Sequence, residues 1–246
     1  MRLFFIAMQF LTIIPLPFAK EWQAEEMGRS MRWFPLAGLA IGGMLAGLDR
    51  LLTLILPLPL ATLLVVTALA IITGALHLDG VADVCDGFGA RGGRERFLAV
   101  MKDSSTGAIG VVGVVLVLML KYQALLHLPP GVRLAAITFF PAAARFAQVL
   151  LTAGSRRART DGLGAVFANG AGYGEVVIAA LVTSSAAWLL LGLQGILCCI
   201  PVVIFAVFVK YYFHHRLGGI TGDIIGAGSE VAEIICLLAI ITVSGA

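Results

Sequence analysis

The chain has 246 residues, of which 60% are hydrophobic and only 13% charged, with a mean hydropathy of +1.00. That is more apolar surface than a water-soluble domain can carry, and it excludes a disordered chain, a coiled coil and a disulfide-stapled secreted module. At about 20 apolar residues per crossing, the length holds roughly six to eight helices in a single integral-membrane domain over 1–246.

The segment 1–18 (MRLFFIAMQFLTIIPLPF) is apolar but carries Pro15 and Pro17 and lacks a small-x-small cleavage site. It reads as an interfacial or re-entrant helix, with a short first span as the alternative, and not as a signal peptide. After the charged stretch 20–32, apolar runs follow at 34–56, 59–78, 107–127, 133–152, 176–192, 195–213 and 231–246, giving seven candidate spans. The expected fold is therefore all-α: a polytopic helix bundle of about seven spans plus the N-terminal helix.

The basic residues set its orientation. Arg2, Lys20, Arg29, Arg32, Arg91, Arg94, Arg96, Lys102, Arg156, Arg157, Arg159, Lys210 and Arg216 fall on one side of this topology, and only Arg50 and Arg133 on the other. The positive-inside bias makes the first side cytoplasmic, and the net charge of +3 reports sidedness, not nucleic-acid binding. Lys121 and Arg145 sit within predicted spans, where a charge is costly unless it snorkels to the boundary. In the first long span, Gly38, Gly42, Gly43 and Gly47 form small-xxx-small pairs that let helices approach closely. Cys198, Cys199 and Cys236 lie in apolar runs and Cys85 stands alone, so no zinc spacing exists.

The chemistry is concentrated in 74–113. Asp79, Asp83 and Asp86 recur at i, i+4 and i+7, which places three carboxylates on one face of a helix continuing past the membrane boundary. Two carboxylates about 6 Å apart repel by about 3 kcal/mol at an effective dielectric near 20, so the group demands protons or a cation. Hard oxygen ligands point to magnesium or manganese. Gly87, Gly89, Gly92 and Gly93 then alternate with Arg91, Arg94 and Arg96, ahead of Lys102 and Asp103. Carboxylates for a divalent ion beside a basic, glycine-rich loop are what a diphosphate substrate requires. The bland alternative is a solvated helix end whose acids and bases pair across the loop. His77 is open between a ligand, a base and an interfacial histidine. A second block, 214–233, contributes Asp223 in a glycine-rich turn, followed by Glu230 and Glu233. The two glutamates read equally as acids at the start of a helix, where they meet its macrodipole.

The blocks GALHLDGVADVCDGFGAR, MKDSSTGAIG, QFLTIIPLP, MRWFPLAGLAIGG, Gly162 to Phe167 and GGITGDIIGAGSEVAE together resemble the cobalamin synthase (adenosylcobinamide-GDP ribazoletransferase) family over nearly the whole chain. Ile13 departs from the pattern, where a basic residue is expected. The resemblance implies a magnesium-dependent enzyme of the cell inner membrane with its active site on the cytoplasmic face. It would join adenosylcobinamide-GDP to α-ribazole, or to α-ribazole 5′-phosphate, and release GMP. In that reading Asp79, Asp83, Asp86, Asp223 and Glu230 hold the metal. Arg91, Arg94, Arg96, Lys102 and His77 bind substrate, and Asp103 with Asp86 is catalytic. The lipid bilayer is its surroundings, and a second copy or other enzymes of the pathway are the protein partners left open. Two rivals stand beside it. Asp83 to Arg91 (DVCDGFGAR) matches the first half of the CDP-alcohol phosphotransferase motif but not its second half. A transporter accounts for the spans, but not for acids gathered at one boundary instead of the midplane.

Overall fold

The computed structural model describes residues 1–16, 23–103, 105–159 and 172–245. Lys20 and the Gly162 to Phe167 block lie outside them. The described residues form helices joined by turns. The first, α1 (Arg2–Leu11), is too short at ten residues to cross a bilayer core, and it buries Ile6, Ala7 and Leu11. A short α2 (Ala24–Ser30) and a 3-10 turn (Met31–Trp33) lead into α3 (Phe34–Leu52), where Pro35 occupies the first turn and no backbone donor is missed.

Next come α4 (Leu58–Ile72) and α5 (Leu76–Gly89), which meet at an angle of 89°. The bend is made at Gly74 and Ala75, both in the left-handed region at φ +59° and +54°. Then follow α6 (Arg94–Val100), α7 (Ala108–Leu126), α8 (Arg133–Thr152), α9 (Tyr173–Leu217) and α10 (Gly222–Ser244).

Among the described residues, five helices are long and apolar enough to cross a membrane, or six if the bent pair α4–α5 counts as one span. The longest, α9, has 45 residues and breaks at Gly192, whose φ of +61° and ψ of −144° are not helical. A Cβ at Gly195 would collide with the carbonyl of Ala187, which in an unbroken helix would be more than two turns away. The chain therefore doubles back at Gly192, and α9 is a hairpin of two crossings, as the separate runs at 176–192 and 195–213 led us to expect. The last span begins earlier than its hydropathy indicates. Residues 222–230 are helical despite their glycines, so Glu230 and Glu233 stand two or more turns inside α10 and not at its start.

α8 is the central helix, with buried residues on nearly every face. Gly38 and Gly42 of α3 lie against its backbone, where a Cβ at Gly38 would stand 2.7 Å from the Pro141 carbonyl oxygen. Gly43 and Gly47 face open space and have no part in that contact. At the opposite end of the bundle from the basic loops, Arg133 is not a loop charge but a buried staple. Its guanidinium spans both oxygens of Asp49 (3.0 and 2.6 Å) and bonds Thr62 and the Leu125 carbonyl, tying α3, α4, α7 and α8.

Candidate active site

The acidic residues of α5 do not converge on one point. Asp79 and Asp83 lie within electrostatic reach of Asp223, which sits in the first turn of α10. The two backbones touch there, since a Cβ on Gly80 would be 2.6 Å from the Asp223 carbonyl oxygen. Thus Asp83 feels the carboxylates of Asp223, Asp79 and Asp86, with Arg159 as the cation close to it. Arg159 reaches Asp223 Oδ2 at 2.5 Å.

Asp86 points elsewhere. Its Oδ2 accepts from the Gly107 N–H (2.6 Å) and its Oδ1 from the Gly110 N–H (2.8 Å), so it caps α7 from a distance. Any side chain at Gly107 or Gly110 would run into that carboxylate.

Asp86 also borders a cleft of about 600 Å³ with Arg91, Arg96, Asp103, Ser105 and Gly107. Here the structure brings together four expected site residues from the two ends of the 86–107 segment. Asp103 accepts at Oδ1 from the Ser105 N–H (3.0 Å) and hydroxyl (2.8 Å), which holds its carboxyl below the usual range and keeps it ionised. Lys102 is exposed beside it.

Arg94 has a different task. It donates to the carbonyls of Leu217 (2.6 Å) and Ala158 (3.0 Å). Between those carbonyls the 156–158 segment pairs with Ile220 in a short parallel bridge. The bridge brings Arg159 to Asp223, a partner that its place in the cytoplasmic basic set does not indicate. Replacing Arg94 by Ala is expected to lower thermal stability, because two carbonyls lose their donor. Arg96→Ala is expected to leave stability unchanged and raise KM for a diphosphate substrate about tenfold; differential scanning and initial-rate measurements separate the two.

Two expected site residues lie outside this region. His77 is buried, with Nε2 hydrogen-bonded to Gln148 Nε2 (2.8 Å), and Glu230 is held by Lys121 Nζ at 2.6 Å. Among the described residues, no three His, Cys, Asp or Glu side chains are gathered closely enough to ligate one ion. Magnesium does not require three, because it commonly takes one or two protein carboxylates and completes its shell with water and substrate phosphate. The donor chemistry of Asp79, Asp83 and Asp223, three carboxylates beside Arg159, fits such an ion.

A family described as cobalamin-5-phosphate synthase, CobS, matches residues 3–241. The chain belongs to this family. It is 57% identical over 245 residues to the adenosylcobinamide-GDP ribazoletransferase of Geotalea daltonii, covering 100% of this chain and 99% of the relative. The proteins of that name from Pseudomonas savastanoi pv. phaseolicola and Clostridium novyi are 38% and 33% identical. They cover 96% and 100% of this chain, and 97% and 98% of their own lengths. No solved structure matches it. The chain is thus an enzyme, a transferase of cobalamin biosynthesis built as a membrane helix bundle.

Proposed function

We propose that the protein transfers the adenosylcobinamide phosphoryl group of adenosylcobinamide-GDP to a free ribose hydroxyl of α-ribazole, or of α-ribazole 5′-phosphate, whose 5′ oxygen is already esterified, releasing GMP. The observation that carries this reading is the pairing of a carboxylate-rich contact, Asp79 and Asp83 against Asp223, with a cleft lined by Arg91 and Arg96. The first suits a divalent cation and the second a phosphate. Both stand at the end of the bundle that holds Arg94, Arg159 and Lys210, which the positive-inside bias puts at the cytoplasmic face of the inner membrane.

Magnesium held by one or two of the carboxylates of Asp79, Asp83 and Asp223 would supply charge neutralisation on the diphosphate. Arg91, Arg96 and Lys102 hold phosphate oxygens. Asp103 receives the hydrogen bond of the attacking hydroxyl. As the new ester bond forms, the phosphorus–oxygen bond to GMP breaks and the hydroxyl proton leaves through Asp103 to solvent. With its carboxyl held low by Ser105, Asp103 orients the hydroxyl more than it pulls the proton. Asp86 shapes the cleft by fixing the start of α7.

The deciding test is product identity. Protein purified into liposomes and given adenosylcobinamide-GDP with α-ribazole is expected to form equal amounts of cobalamin and GMP, read by chromatography. Activity only on CDP-alcohols, with release of CMP, would replace this reading with the phosphotransferase one.

A further inference from the structure

Deeper in the bundle than the acidic contact lies a second charged cluster that the proposed chemistry does not use. Lys121 of α7 approaches Glu230 (2.6 Å) and Glu233 (2.5 Å) of α10. Arg145 of α8 bonds Ser229 and stands 3.5 Å from Glu233. One helical turn along α8, Gln148 bonds His77 of α5. The four charged side chains are no more than 5% exposed, and two cations balance two anions.

This cluster is a poor device for stability. Arg145 Nε and Nη2, His77 Nδ1, Gln148 Oε1 and both Glu233 oxygens are buried without an aligned hydrogen bond. The close approach of Lys121 to Glu233 therefore supplies charge attraction but not a well-aligned bond. Buried ion pairs of this kind are commonly outperformed by apolar side chains of the same shape, and unbonded polar atoms add to their cost. Their position indicates another use. α5 carries Asp79 and Asp83, α10 carries Asp223, and the two backbones are in contact at Gly80 just where like charges repel. The cluster ties both helices, and α7, to the central helix α8, one to three turns below that contact.

We infer that Lys121, Arg145, Glu230 and Glu233, with the His77–Gln148 bond, are positioning residues that hold α5 and α10 in register, so that Asp79 and Asp83 face Asp223 across a fixed gap. The inference rests on the proposed role of those carboxylates, but its structural half can be tested without it. Lys121→Met alone leaves two glutamates facing one arginine and is expected to fail in folding. The informative variants are the charge-balanced Lys121→Met/Glu230→Gln and Arg145→Met/Glu233→Gln.

The first readout is the distance distribution between spin labels at Leu76→Cys and Gly222→Cys, with the native cysteines replaced by alanine. The second is the affinity of substrate-free protein for Mn2+. A charge-balanced variant is expected to insert and fold with a broadened or shifted distance and about tenfold weaker Mn2+ binding. Lys121→Arg is expected to retain the parent values of both. A folded charge-balanced variant with an unchanged distance distribution would overturn the inference. Should the parent protein itself bind no Mn2+ and form no product, the functional reading fails while the distance comparison still decides the positioning role.

Discussion

Replacing Asp83 by Asn is expected to lower kcat by about 10³-fold, roughly 4 kcal/mol of transition-state stabilisation, while the protein still inserts and folds. The asymmetry follows from its surroundings. Asp83 has the carboxylates of Asp223, Asp79 and Asp86 about it, and Arg159 is spent on Asp223. An isosteric amide relieves that repulsion, so the fold loses nothing and the gain in stability is expected to be small but measurable. Initial rates and thermal unfolding in the same liposomes check both halves. An Asn variant that kept its rate would remove Asp83 from the metal.

Asp86→Ala is expected to behave differently, losing stability and rate together. The Asp86 carboxylate accepts two backbone N–H bonds at the start of α7, each charge-assisted, and among the described residues no other cap holds that end. Loss of a helix cap costs about 0.5–2 kcal/mol, and hydrogen bonds to a charged group about 1.5–3 kcal/mol. The 103–107 segment that closes the cleft is anchored through the same bonds, so turnover is expected to fall as well. Unfolding at Asp83→Asn levels of stability, with only the rate lost, would make Asp86 a ligand and not a cap.

Much of this architecture was legible in the residues, because lipid as solvent makes hydropathy a direct report of span position. The runs at 176–192 and 195–213 anticipated the hairpin of α9, although both belong to one continuous helical tract until the left-handed Gly192 is seen. The gathering of Asp86, Arg91, Arg96 and Asp103 around one cleft was visible as a dense acidic and basic segment. The i, i+4, i+7 spacing of Asp79, Asp83 and Asp86 was less informative than it looked. Spacing fixes a helix face, but two neighbouring helices, α10 and α7, divide that face between them.

Long-range partners were beyond the sequence. Nothing local says that Arg159 meets Asp223, that Arg94 bonds carbonyls at Leu217 and Ala158, or that Glu230 is claimed by Lys121. The one signal available was cost. Lys121 and Arg145 in the middle of apolar runs required partners, and Glu230 and Glu233 of α10 supply them. Reading those two glutamates as a helix start, with α10 placed nine residues too late, hid the match.

The proposed role of the carboxylates at the α5–α10 contact is to work through a divalent cation. It is tested most directly by following GMP formation from adenosylcobinamide-GDP and α-ribazole while magnesium is titrated into metal-stripped proteoliposomes. No product is expected without the ion, with a saturable rise in its presence and a curve moved to higher magnesium by Asp223→Asn. Full-rate GMP formation in excess chelator would contradict it.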